Sequence, residues 1–497
     1  LPLAALAVAG LLVVSAAAGL LAGLLAERAA RDRRERAAVS RPATWVLAGA
    51  AACAGTALRF APETLLPFRL WADTLFYARP ALRAPGGVPW LGGTWFGDDV
   101  PLGGLVAPNA WAAWADAVLG VFGNGEAGLL ALSAIPSAVA ILAAAWLARE
   151  LGGREAALAA TVLASLSGWA IVHGRWGYTS AALVPLALGA GAALVRADRL
   201  GADRWALAGG LLAGATVHTY PAAWPLLAAL APVLFVRVVK EPGRRRAGLR
   251  AIGGLLVPVL LLLPAWAGRP DRLGGRAIAA WAGASVKDTA VPGGPGLAGV
   301  PVRVAYNAWH YAALLAGNAD PNPRHGLPDR PPLPALVGLL ALGGAAAVWR
   351  RKNPGLGIVA ALAVGGLLAG LASSPAAVPN TQRAALFLAV TLVLAARGLA
   401  ALPGSATGVL VTVGAAAIAL VATDVRSVLG PWAGDARVEA AFLPGETEAG
   451  RLLSRLAPAA VVLEREATAF PIAVEALASA ATGRPILAAR RLPTEAL

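Results

Sequence analysis

A carboxylate at position 73 stands between Trp71 and the pair Phe76 and Tyr77, in the stretch LWADTLFYARPALR. Aromatic side chains of this kind collect at membrane interfaces and make the surroundings of a carboxylate less polar. Asp73 in such a setting can take a proton from a hydroxyl, the work of a general base. Asp is also a common helix cap, and TLFYARPALR follows directly, so both roles stand. Further on, Asp98 and Asp99 form the GDD of a turn flanked by Gly and Pro. Two adjacent carboxylates offer hard oxygens to a divalent cation. A solvated turn is the simpler reading, because Asp favours turns for backbone reasons.

Three other clusters carry donors suited to a phosphate. HGRWGYTS (173–180) holds His173, Arg175 and Tyr178, and Arg binds phosphate through a forked set of charge-assisted hydrogen bonds. The same Trp, Tyr and Arg types also serve as interfacial anchors. HTYPAAWP (218–225) adds His218 and Tyr220. GNADPNPRHGLPDRPPLP (317–334) holds two Asp, two Asn, two Arg, one His and six Pro, including Asp320, Asn322, Arg324 and His325. Its prolines exclude a helix. No pair among the four His stands at ligand spacing with a carboxylate, so a metal has no support beyond the weak pair Asp98 and Asp99. The one cysteine, Cys53, excludes a disulfide within the chain.

These clusters interrupt a very apolar chain. It has 497 residues, 58% of them hydrophobic and 14% charged, and its mean hydropathy is +0.67. Charge-free windows long enough to cross a hydrocarbon core of about 30 Å recur along it. The expectation is an all-α polytopic membrane protein of about twelve spans. They fall near 2–26, 43–60, 127–148, 156–172, 180–195, 205–220, 222–236, 251–267, 333–349, 355–372, 384–401 and 406–423. The chain opens on Leu and contains no Met, so no signal segment is read from its start.

The net charge of +15 is sorted by loop before any partner is inferred, and nucleic acid is not among the partners expected. Short Arg-rich gaps at 27–42, 149–155, 196–204, 237–250 and 350–354 predict one face, the cytoplasmic one. The long segments 61–126, 268–332 and 424–497 then lie outside, and any chemistry with them. The expected division is a membrane domain over 1–424 and a small extracytoplasmic α/β appendage over 425–497. In the latter, AAVVLE and RPILAA read as strands and ETEAGRLLSRL as a helix. The scarcity of ionisable residues within the spans argues against an ion-coupled transporter.

With these stretches in view the chain resembles a family. LWADTLFYARPALR, the run from NAWAAWADAVLGVF through IPSAVAILAAAWLARELGG, ASLSGWAIVHGRWGYTS, GLLAGATVHTYPAAW, GNADPNPRHGLPDRPPLPALVGLLALGG and PNTQRAALFLAVTLVLAARGLAAL are similar to segments of the GT-C membrane glycosyltransferases. The likeness is to the protein O-mannosyltransferase and aminoarabinose-transferase type, over roughly residues 60 to 400. The resemblance implies a helical bundle with outer-loop helices along an inner (plasma) membrane. It implies a polyprenyl-phosphate sugar as co-substrate and an acceptor hydroxyl on protein, lipid or glycan. Transfer would invert, with Asp73 as base, and Arg175, Arg324 and Arg383 would stabilise the leaving phosphate. His173, Tyr178, His218 and Tyr220 would line the pocket, with Asp320, Asn322, Arg324 and His325 held toward it by the prolines. Three places depart from the family: Thr74 where a second acid is frequent, Ala134 near a usual Arg, and Trp224 for another Arg. A flippase for lipid-linked sugars and a non-catalytic scaffold are the competing readings.

Overall fold

The computed structural model describes residues 33–62, 93–96, 105–123, 125–263, 299–315, 317–350, 353–372, 378–402 and 406–442, with Leu66, Thr74, Ala78 and Ala81 as well. The first expected span, 2–26, the turn at 97–99, Asp73, and the strands and helices expected beyond 442 lie outside these residues.

The described chain is a helical bundle. Helix α1 (Arg33–Arg59) leads to a two-stranded antiparallel hairpin, β1 (Gly93–Phe96) and β2 (Leu105–Pro108), with Gly93 opposite Pro108. Then follow α2 (Asn109–Phe122), α3 (Glu126–Leu166), α4 (Gly168–His173), α5 (Ser180–Leu200), α6 (Asp203–Ala215), α7 (Ala223–Lys240) and α8 (Arg245–Leu260). The second half comprises α9 (Val300–Leu315), α10 (Ala335–Arg350), α11 (Leu356–Leu371), α12 (Ala385–Leu399), α13 (Ala406–Leu420) and α14 (Ala436–Ala441). After α13 the chain continues through π-turns at Val421–Val425 and Val428–Trp432.

Among the described residues four helical stretches are long and apolar enough to cross a membrane: Glu126–Leu166, Ser180–Leu200, Ala223–Lys240 and Val411–Trp432. Five further apolar helices are shorter. The chain is therefore an integral membrane protein, while the count of about twelve spans is met only in part. The stretch α3 contains a break at Gly153 (φ 85°, ψ −160°), inside the basic gap expected at 149–155. Helix continues across position 424, where the appendage was expected to begin.

Helices apolar on every side belong inside a bundle, and α5 and α12 are buried along nearly their whole length. Close approach depends on small residues. A Cβ at Gly210 would lie 2.0 Å from the Ala251 carbonyl oxygen and one at Gly214 2.3 Å from that of Leu255, so α6 and α8 touch backbone to backbone. Pro136, inside α3, cannot donate to the Leu132 carbonyl; Trp114 Nε1 of α2 does so instead, at 3.2 Å.

Ion pairs close one end of the bundle. Glu150 meets Arg196 (2.9 Å) and Arg199 (2.7 Å), Asp198 meets Arg237 (2.5 Å), and Asp203 meets Arg246 (3.0 Å) and Arg250 (3.2 Å). The Arg-rich gaps at 149–155, 196–204 and 237–250 are thus tied together by the few acids among them.

Candidate functional site

The junction between α4 and α5 is HGRWGYTS, and its backbone is unusual enough to need both glycines. Gly177 has φ +66°, and a Cβ there would lie 2.5 Å from Thr74 Cγ2. A Cβ at Gly174 would lie 2.5 Å from Ser137 Oγ. Buried polar backbone must find partners, and two side chains supply them. Ser133 Oγ donates to the Gly174 carbonyl (3.0 Å) and accepts from Gly177 N (2.7 Å). Thr74 Oγ1 donates to the Trp176 carbonyl at 2.5 Å. That last bond gives a reason for Thr74 where the resemblance leads one to expect a second acid: an ionised carboxylate has no proton to give a carbonyl oxygen.

Arg175, expected on a phosphate, has a different task. Its guanidinium is buried and donates to the carbonyls of Leu58 (3.1 Å), Arg59 (3.0 Å), Ala61 (3.0 Å) and Leu66 (2.6 Å). These include the orphan carbonyls where α1 ends, which need capping. Burial lowers its pKa to about 10, so it stays charged. Its neighbour Arg59 does the same for α3, donating to Ala164 (2.8 Å) and Ser165 (3.2 Å) as well as to Ser137 Oγ (2.7 Å). Arg175 thus serves as a helix cap. His218 also serves a carbonyl: its Nε2 donates to that of Pro258 at 2.8 Å, in the last turn of α8, while Leu262 N turns instead to Val259.

The polar, Pro-rich loop folds onto this junction. His325 stacks on Trp176, with ring centroids 5.1 Å apart and planes 19° apart. His173 stacks on Trp169 (5.3 Å, 18°), Trp176 contacts Tyr178 (6.3 Å), and Tyr178 contacts Tyr220 edge to face (5.6 Å). His173, Tyr178, Tyr220 and His325 are thus brought into one buried aromatic and imidazole cluster. The indole nitrogens of Trp169 and Trp176 have no hydrogen-bond partner among the described residues.

Asp320 fastens the loop. Its Oδ2 accepts from His325 Nδ1 (3.0 Å) and from Thr381 N (2.7 Å), and Thr381 Oγ1 lies 2.9 Å away. Its Oδ1 accepts from Asn322 N (2.8 Å), and Asn322 Oδ1 in turn accepts from Arg324 N (3.1 Å) and Nε (3.2 Å). Both are Asx-type turns, in which a side chain replaces a backbone acceptor. Asp320, Asn322 and His325 thus shape the loop. Arg324 and Arg383 are half-buried; Arg383 N is capped by Asn380 Oδ1 at 3.0 Å.

Two contributors escaped the sequence reading. Asp424, carried on the π-turn after α13, is buried, and its Oδ2 accepts from Gly168 N (2.9 Å) at the start of α4. Thr381 is the second; it stood in plain view in PNTQR, but its partner lies 61 residues away. Among the described residues no group of three His, Cys, Asp or Glu could hold a metal ion.

No protein-family model matches this chain, and no curated protein matches it. Solved structures do. ArnT from Cupriavidus metallidurans bound to undecaprenyl phosphate matches with a TM-score of 0.56 at 13% identity, over 90% of this chain and 86% of that one. Its apo state gives 0.55 at 12%. The Archaeoglobus fulgidus oligosaccharyltransferase in complex with Zn and sulfate gives 0.52 at 17%, over 83% of this chain. This chain spans about half of that enzyme's length, 55%. At such identities the likeness is one of fold.

Proposed function

We propose that this chain, whose fold is that of the GT-C membrane glycosyltransferases, moves a sugar from a polyprenyl-phosphate donor to an acceptor hydroxyl at the outer face of the membrane. The observation that carries the reading is the extent of the likeness: nine-tenths of the chain follows a protein that binds undecaprenyl phosphate. In the proposed step the Asp73 carboxylate takes the acceptor's proton as the hydroxyl oxygen attacks the anomeric carbon. The bond from that carbon to the phosphate oxygen breaks, the phosphate leaves with the electron pair, and the configuration inverts. Arg324 and Arg383 are the proposed partners of the departing charge. Arg175 and His218 are not among the proposed partners, since both donate to backbone carbonyls. The outer face is assigned by the Arg-rich gaps on the opposite side.

A second reading, a non-catalytic scaffold with this fold, is favoured by one observation. Asp320, His325 and Arg175 are occupied in holding the chain to itself. Sugar transfer in proteoliposomes with a panel of polyprenyl-phosphate sugars separates the two. Turnover by wild type that falls by about 10²-fold or more in Asp73→Asn, with donor binding retained, is the expected result for a lost general base. Binding without turnover in wild type assigns the scaffold. Turnover untouched by Asp73→Asn removes Asp73 as base and leaves the transferase.

A further inference from the structure

Where the end of α7 meets the start of α11, a cleft of about 350 Å³ opens, lined by Val233, Val236, Arg237, Glu241, Arg244 and Gly357 among others. It lies at the end of the bundle closed by the Arg-rich gaps, away from the aromatic cluster. Its polar rim carries two ion pairs, Arg237 with Asp198 and Arg244 with Glu241 at 2.9 Å. Each guanidinium gives one nitrogen to its carboxylate, and both Arg side chains line the cleft. Asp198 sits behind Arg237, whereas Glu241 and Arg244, both 39% exposed, face the opening. Of the charged side chains that line the cleft, two are positive and one is negative.

Below the rim the cleft is apolar, through Val233 and Val236, and it continues onto an open side of α7 where Phe235 and Val239 are 63% and 58% exposed. That helix is long and apolar enough to cross a membrane, so this side suits acyl chain. Gly357 keeps the mouth open, since a Cβ there would lie 3.3 Å from Val233 Cγ1.

We infer that this cleft holds the headgroup of a zwitterionic aminophospholipid, its phosphate on Arg244 and Arg237 and its ammonium on Glu241. The geometry separates this ligand from its relatives. An anionic glycerol headgroup would set nothing positive against Glu241. A choline headgroup has the right charges but no N–H to donate to Glu241. The assignment is independent of the transferase reading.

The test is native mass spectrometry of the full chain in detergent. It is offered equal amounts of phosphatidylethanolamine, phosphatidylglycerol and phosphatidylcholine with the same acyl chains. One ethanolamine lipid is expected to stay bound, preferred about five-fold over each competitor, the ratio one net hydrogen bond supplies. Glu241→Gln should erase the preference over choline, Val236→Trp should fill the cleft and abolish retention, and Arg250→Gln, whose partner is Asp203, should change neither. Equal or better retention of phosphatidylglycerol by wild type overturns the inference, as does unchanged retention in Val236→Trp. Displacement of the lipid by inorganic phosphate alone overturns the headgroup assignment and leaves a simple anion site.

Discussion

Asp320 accepts bonds from two residues that a chain of 497 has little other reason to bring together, His325 and Thr381. Asp320→Asn keeps the shape but turns an amide N–H toward those donors. A buried group so mispaired costs about 2–4 kcal/mol, and chemical unfolding in detergent should register that loss; a change below 1 kcal/mol would mean the loop is held elsewhere. His173 supplies a second expectation at this scale. Burial, then the charge of His325, lowers its pKa from 6.5 to about 4. Between those values the unfolded chain binds a proton that the folded chain refuses. Stability is therefore level above pH 6.5 and falls as pH drops toward 4, by on the order of 3 kcal/mol. His173→Phe, which keeps a ring on Trp169, should flatten that slope between pH 6.5 and 4. Residue chemistry was legible at this scale and residue partners were not. HGRWGYTS announced an arginine at a junction, but nothing local says that its guanidinium meets carbonyls 109 to 117 positions earlier. The Asp-Pro-Asn-Pro-Arg-His run announced a stiff, polar loop, and its stiffness proved to come from Asx turns as much as from proline.

At the scale of elements, hydropathy located the helices because lipid demands that each satisfy its own backbone. It located their ends less well. A break at Gly153 and a proline at 136 served by a distant indole are invisible to an average over a window. Helix contacts were also hidden, since small residues look alike whether they face lipid or another backbone. Gly214 shows the difference: Gly214→Val should drive α6 from α8 and cost about 1–3 kcal/mol as an overpacked contact. Gly253, whose Cβ would meet nothing within 4 Å, is the control, and Gly253→Ala should leave the unfolding midpoint almost unmoved.

For the molecule as a whole, the last described stretch closes over the Pro-rich loop. Trp432 is buried and donates from Nε1 to the Pro323 carbonyl (3.3 Å), Phe442 packs edge-on against Trp176, and Arg437 forms a two-pronged pair with Asp329 (2.7 and 3.1 Å). These contacts are unequal. Arg437→Ala, at an exposed pair, should leave the unfolding midpoint almost unmoved, while Trp432→Ala should cost about 3–5 kcal/mol, and thermal unfolding of both variants ranks them. Composition, which puts a boundary at 424, does not show that Trp432 and Arg437 beyond it pack on the loop and Phe442 on Trp176.

The bond from Gly168 to Asp424 also sets a schedule. A nascent chain has already delivered His173, Arg175, Asp320 and His325 to the membrane when the residue that caps α4 is still unmade. Every group of the aromatic cluster but Phe442 then waits on the helix that carries Asp424. The ribosome must pass position 424, and that helix must insert, before α4 acquires its cap; a stalled product would own the cluster's side chains without the clamp that closes over them.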